Sequence, residues 1–359
     1  GVLFWSLVDH TGAVDGGSVD LSQPDLAASL TTLRNWLQKD SRPSDPRDVR
    51  PEPDNDIHVE EALTTAGDPY GEELLAPLSA LLPTRLRELA IKRTSRDPLR
   101  VLFTLPAELS AVPWPIVPLS DDLRLVERIE LQVLTPSAVR ASAPRPSRRT
   151  TAQPVVLSCS NPDGELKDTP PVPGGTVLAG GASTPVTVAQ FETAVRSARW
   201  NQGGTLFVRS HLGSSSGAPY VADRGILFSD GVLSARDLAL TVSGGDPRMP
   251  LPNRTVLALC SGAAVGDASG LALGLAAACR LAGSEEVITS AFDIPDTSWG
   301  SKFDLRLAEA VSRPEPTVTT LRQLQLECLN EWQRASIDDD THWDNMPHPL
   351  IWASFVVVR

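Results

Sequence analysis

Cysteine, positive charge and long apolar runs are all scarce in this chain. Its four cysteines, Cys159, Cys260, Cys279 and Cys328, are too few and too scattered for a disulfide scaffold, a usage that suits a reducing cytoplasm. The longest apolar stretch, residues 271–278, falls well short of the roughly 20 residues that cross a bilayer. Lys and Arg number 32 against 44 Asp and Glu, a formal charge of −12. That balance excludes the basic footprint by which proteins hold nucleic acid or anionic membrane. Metal-binding spacings are missing too: Cys328, His342 and His348 lack a second Cys and match no zinc pattern. The run Asp338-Asp339-Asp340 reads as a surface loop rather than a calcium site. No metal or cofactor is expected, and none of the repeat signatures occurs. Residues 1–5 carry neither an initiating Met nor the charged start of a signal peptide, as in a processed product or a piece of something longer.

What is present is size and alternation. A chain of 359 residues can bury a large core, and its length suggests two or three lobes. Residues 2–8 and 13–19 alternate as a hairpin would around residues 9–12. Ser22 reads as the N-cap of a helix running to Gln38, with Leu30, Leu33 and Leu37 along one face. Residues 39–56 hold four prolines among charged residues and read as a loop. A helix over residues 72–93 and a strand over 100–104 follow. Residues 141–153, rich in Pro and Arg, read as a linker open to proteolysis. The expected division is therefore an N-terminal lobe at 1–140, a linker at 141–153 and a second domain at 154–359. In that domain, strands at 154–157, 205–209, 255–259, 286–290 and 351–358 alternate with helices at 190–199, 270–281, 302–311 and 317–332, and a hairpin turns at 229–231. Such an order implies an α/β fold, a mostly parallel central sheet with helices on both faces.

Two residues stand where chemistry is expected. Cys260 closes the apolar run of residues 255–259, and His211 follows the run 205–210, so each sits where a buried strand meets a loop. Parallel sheets present functional groups at the carboxyl ends of their strands, and a thiolate needs a base within reach. His precedes Cys by about 50 residues, the interval known for caspases. Cys159 and Cys279 read as core thiols, since free Cys is among the most buried residue types.

The surrounding residues resemble the CHAT family, the caspase-like peptidases distantly related to separase. Leu74-Leu75-Ala76-Pro77-Leu78 is similar to its helical segment, and Leu105 to Leu109 with Val112-Pro113-Trp114 to the turn that follows. Residues 128–137 stand in the place of the family's next strand. Gly225 to Leu238 resembles the hairpin after the catalytic His, residues 256–262 the strand and nucleophile turn, and residues 271–296 a helix, a strand and an acidic loop. His348-Pro349-Leu350-Ile351-Trp352-Ala353-Ser354-Phe355-Val356 resembles the closing strand.

The resemblance implies a caspase-like sandwich preceded by an N-terminal α/β lobe, and a cysteine endopeptidase with a His211 and Cys260 dyad that needs no carboxylate as a third member. Backbone N–H groups of Cys260 and of the His loop would hold the oxyanion. The family has Gly directly after His, whereas this chain has His211-Leu212-Gly213. Gly213 is the candidate donor, with Leu212 N–H the alternative. Asp296, and second Asp293, occupy the loop where the related separases place an acid for a substrate arginine, which implies a basic P1 residue. Asp296 also reads as a helix N-cap. Relatives imply a bacterial regulatory setting, a protein substrate and a regulatory protein partner, which a repeat protein would fit. Two other readings use the same residues: a catalytically silent scaffold, and a Cys-dependent acyltransferase or amidase.

Overall fold

The computed structural model describes residues 1–8, 12, 14–38, 72–104, 106, 109, 112–143, 156–164, 166, 176–179, 185–198, 200, 204–214, 223–241, 247–259, 274–291, 298–312, 317–334 and 347–359. The chain divides into two units, one of Gly1–Val101, Ala111–Glu130 and Ser336–Trp343, the other of Leu102–Ser110, Leu131–Ala335 and Asp344–Arg359.

In the first unit β1 (Val2–Val8) and β2 (Val14–Asp20) form the expected antiparallel hairpin, with Val2 opposite Asp20 and Val8 opposite Val14. One face of β1 leaves Val2, Phe4 and Val8 exposed. Helix α1 (Pro24–Gln38) starts two residues later than the cap expected at Ser22. Proline has no N–H to lose and a φ preset for the first helical position, so the helix begins at Pro24. The Ser22 hydroxyl instead donates to Asp20 Oδ1 at 2.6 Å. Leu26 and Leu33 bury one stripe of α1, while the Leu37 side chain lies outside the described residues.

The continuous helix expected over residues 72–93 is broken into Glu72–Leu75, a 3₁₀ segment Ala76–Leu81, and α2 (Thr84–Ile91). Pro77 and Pro83 each remove a donor, and the residue before a proline is pushed toward extended backbone. Leu82, at φ −85° and ψ 127°, follows that rule.

The remaining strands are β3 (Leu99–Phe103), β4 (Pro118–Ser120), β5 (Leu123–Arg124), β6 (Ile129–Val133), β7 (Val156–Ser160), β8 (Thr176–Ala179), β9 (Thr205–Arg209), β10 (Leu212–Ser214), β11 (Arg224–Phe228), β12 (Gly231–Ser234), β13 (Arg254–Ala258), β14 (Glu286–Ser290) and β15 (Phe355–Val358). Eight of them make one sheet in the order β3-β6-β15-β14-β13-β9-β7-β8. The five strands from β14 to β8 are mutually parallel, β15 runs antiparallel to β14, and β6 is parallel to β15. β10, β11 and β12 form a separate antiparallel sheet of three.

Register fixes the two faces, because side chains alternate along a strand. Cys159, Val208 and Leu257 lie side by side on one face. They belong to the core that also holds Phe191 and Val195 of α3 (Val188–Ser197) and Leu275 to Cys279 of α4 (Leu275–Leu281). The other face carries Arg209 and Phe355. It meets α5 (Ser298–Val311) through the Phe303 and Phe355 rings, whose centroids are 5.2 Å apart, and α6 (Thr317–Arg334) through Gln325, whose amide donates to Trp352 O and Phe355 O. Covered on both faces, β9 and β13 carry the unbroken apolar stretches 206–208 and 256–258.

Two sheet boundaries move from their expected places. β7 continues through Cys159 to Ser160, and the expected first residues, 154–155, lie outside the described part. The closing strand begins at Phe355 rather than at residue 351, because Pro349–Trp352 is a helical turn in which Ala353 N–H donates to Pro349 O at 2.8 Å and Trp352 Nε1–H to Pro347 O at 2.9 Å.

Candidate active site at the carboxyl edge of the sheet

The parallel strands β7, β9 and β13 end side by side, with Ser160 opposite Arg209 and Arg209 opposite Ala258. Two residues beyond Arg209 is His211, and two beyond Ala258 is Cys260. Cys260 lies outside the described residues, as do Asp293 and Asp296. His211 is described, and its side chain is about one-third exposed (36%).

His211 Nδ1 lies 2.8 Å from Asp163 Oδ2. The Asp163 side chain is almost enclosed, 5% exposed. An ionised carboxylate can only accept, so this contact places the imidazole proton on Nδ1 and leaves Nε2 as the nitrogen able to take one. The resemblance implied a dyad that requires no carboxylate as a third member; in the structure His211 nonetheless has a carboxylate on Nδ1.

Asp163 comes from the turn Asn161-Pro162-Asp163-Gly164, which directly follows β7. Pro at the second place of a turn presets φ, and Asn tolerates left-handed backbone. Asn161 has φ 56° and Gly164 φ 87°, and Gly164 N–H donates to Asn161 O at 3.2 Å. The fully buried Asn161 side chain clamps the following residues: its amide donates to Leu166 O at 2.9 Å and its carbonyl accepts Leu166 N–H at 2.8 Å. Asn161 N–H donates to Arg209 O at 2.8 Å, and Val186 N–H to Pro162 O at 2.9 Å. The turn is therefore fastened to β9 two residues before His211. Pro-Asp-Gly is turn chemistry, but nothing in the sequence pairs it with a residue 48 positions away.

Gly213 sits in β10 opposite Gly225. Leu227 N–H donates to His211 O at 3.0 Å, so His211 and Leu227 form a hydrogen-bonded pair. Such pairs alternate along an antiparallel ladder. Leu212 opposite Ile226 is then a non-bonded pair and Gly213 opposite Gly225 a bonded one. Gly213 N–H accordingly points at β11, and Leu212 N–H points away from it. The missing side chain of Gly213 has a packing reason, since a Cβ there would stand 2.7 Å from Val232 Cγ2.

On the α5 face, the strand ends carry Ser160, Arg209 and Ser290. Arg209 Nε donates to Asp304 Oδ2 at 2.8 Å and its terminal nitrogen to Ser301 Oγ at 3.0 Å. The Ser290 hydroxyl donates to Leu259 O. The other three cysteines are buried, and burial pushes the thiols of Cys159, Cys279 and Cys328 up to about 12. A thiol that keeps its proton is a poor nucleophile. Among the described residues, no group of three or more His, Cys, Asp and Glu is placed to hold a metal ion, and no helix is long and apolar enough to cross a membrane.

The chain belongs to the CHAT domain family, whose model matches residues 71–359. Among solved structures, one described as a protease is similar at a TM-score of 0.46 and 10% identity, over 79% of this chain and 67% of that one. Two crystal structures of the Saccharomyces cerevisiae separase–securin complex are also similar. The one at 3.0 Å has a TM-score of 0.43 and 11% identity over 98% of this chain and 22% of that one. The other, at 2.6 Å, has a TM-score of 0.40 and 13% identity over 95% and 23%. The chain thus spans less than a quarter of the separase chains it matches. No curated protein matches the chain.

Proposed function

We propose that this protein is a cysteine endopeptidase of the caspase-like kind, in which Cys260 attacks a peptide carbonyl and His211 shuttles the proton. The observation that carries the reading is His211 at the end of β9 with a carboxylate on Nδ1, beside the strand that leads to Cys260, in a chain of the CHAT family. His211 Nε2 takes the thiol proton, and the thiolate adds to the carbonyl carbon. The imidazolium then returns the proton to the leaving amine, and water attacks the thioester with His211 again as base. The phase of the β10–β11 ladder supports Leu212 N–H, rather than Gly213 N–H, as the oxyanion donor alongside the N–H of Cys260.

Residues 154–359 form the catalytic part in this reading, with β3 and β6, from before residue 141, completing its sheet. Asp296, with Asp293 second, is assigned to the P1 pocket, where a carboxylate selects Arg ahead of Lys. The setting is a bacterial cytoplasmic regulatory or defence system, with a protein substrate and a partner protein that controls access. The test is a positional peptide library together with an acyloxymethyl-ketone probe on the wild type and Cys260→Ala. Cleavage after Arg, probe capture on Cys260 and loss of both in the variant are expected. An unlabelled Cys260 would leave a silent scaffold. A profile dominated by Asp, Leu or Met at P1 would remove the pocket assignment alone. Asp296→Ala should lower turnover of Arg peptides while leaving the melting temperature nearly unchanged, as expected of an acid whose role is to bind substrate.

A further inference from the structure

We infer that Asp163 is a positioning residue for the reaction and that the Asn161–Gly164 turn exists to hold it. The inference deepens the Cys–His reading and rests on it. The two side chains have opposite exposures, 36% for His211 and 5% for Asp163, so the carboxylate is withdrawn from any substrate and acts through the ring. Left alone, a histidine at a strand end rotates about two side-chain torsions and divides its proton between two nitrogens. A carboxylate at 2.8 Å from Nδ1 removes both freedoms: it fixes the ring plane and commits the proton to Nδ1. It also stabilises the imidazolium that forms when the thiol gives up its proton.

The support beneath Asp163 goes beyond a turn's needs. Asn161 accepts left-handed backbone while enclosed by the protein, and its amide and carbonyl are both spent on Leu166. The turn's ends are tied to two different segments, to β9 at Arg209 O and to Val186. Because Arg209 precedes His211 by two residues, the segment that carries the acid and the strand that carries the base share a backbone hydrogen bond. Their separation is set by the sheet and not by side-chain adjustment.

The experiment uses a small neutral electrophile, so that no knowledge of the substrate is needed. Native protein is treated with iodoacetamide at neutral pH and alkylation of Cys260 is followed by mass spectrometry in the wild type, Asp163→Asn, Asp163→Glu and His211→Ala. In parallel, the ring of His211 is observed by nitrogen-15 NMR in wild type and Asp163→Asn, the resonance being assigned by its loss in His211→Ala. The expected result is a wild-type ring protonated on Nδ1. In Asp163→Asn the amide donates to Nδ1 and the proton moves to Nε2. Cys260 alkylation should slow by at least about tenfold in that variant, and kcat toward the best library peptide should fall on the order of 10²- to 10⁴-fold with KM little changed. Asp163→Glu should recover part of both rates. Wild-type kinetics in a folded Asp163→Asn, with His211→Ala slow, overturn the inference and leave the Cys–His reading standing. An unchanged alkylation rate in His211→Ala removes that reading and this role with it. If Asp163→Asn fails to fold, as judged by circular dichroism, the wild-type ring decides: an Nδ1 without a proton refutes the assignment.

Discussion

The His211 side chain is about one-third exposed while its Nδ1 is held by an enclosed acid, an arrangement that suits the base of the proposed reaction. Replacing either member of the Cys260 and His211 pair with Ala should abolish cleavage, and the double variant should be no worse than either single one, because groups acting as one unit are not additive. Turnover measured on the three variants checks this; an additive double loss would contradict it. His211→Ala should still fold but melt below wild type, because it takes the imidazole away from the enclosed Asp163 carboxylate. The three core thiols make a separate prediction. Their folded-state values are raised from 9.0 to about 12 by burial, so the unfolded chain releases protons first as pH climbs. Stability is fully present below about pH 9 and should decline above it, by up to about 1.4 kcal/mol per thiol per pH unit. Urea unfolding at pH 8, 9 and 10 measures the decline, and Cys279→Ala should flatten it.

The small sheet of β10, β11 and β12 hangs the residues after His211 on a ladder with no room for a side chain at Gly213 or Gly225. A Cβ on Gly225 would meet Leu233 O at 2.0 Å and Ser234 Cα at 2.6 Å, both backbone, so nothing flexible can yield. Gly225→Ala should cost at least about 1–3 kcal/mol and lower activity together with the melting temperature, which scanning calorimetry and peptide turnover would record. An unchanged melting temperature would mean that the β11–β12 register is looser than it stands. Much of the framework around this sheet was legible before any coordinates. β9 and β14 fall at their expected residues, each a short apolar centre, 206–208 and 287–288, between polar residues. His211 was legible for the same reason, as the residue after such a run. Where expectation and structure part, proline is usually the cause: Pro24 displaces the start of α1, Pro77 and Pro83 cut one helix into three, and Pro349 turns the head of β15 into a helical turn. Asp163 was not legible because its value lies in register. Only when β7 is laid beside β9 does a turn acid fall within reach of a histidine far along the chain.

At the scale of the whole molecule, the Arg- and Pro-rich stretches at residues 42–50 and 145–149 are the expected sites of first cleavage in limited trypsin digestion. Early products cut within residues 275–281 would contradict that organisation, since Leu275 to Cys279 are core. The enclosed pair of Arg209 and Asp304, with side chains 5% and 11% exposed, is the firmest tie between the sheet edge and α5. Asp304→Ala takes a charge-assisted hydrogen bond from the enclosed Arg209 and should destabilise by about 1.5–3 kcal/mol, readable in urea unfolding. Asp304→Asn, which keeps an acceptor for the guanidinium, should cost less. That tie also joins two things the chain keeps apart: α5 begins two residues after Asp296, and Arg209 lies two residues before His211. Free-energy coupling runs equally in both directions. Under the proposed function, a covalent adduct on Cys260 should therefore slow hydrogen exchange at the amides around Asp304, and exchange measured by mass spectrometry with and without the adduct checks it; unchanged rates would mean that the two segments are not coupled.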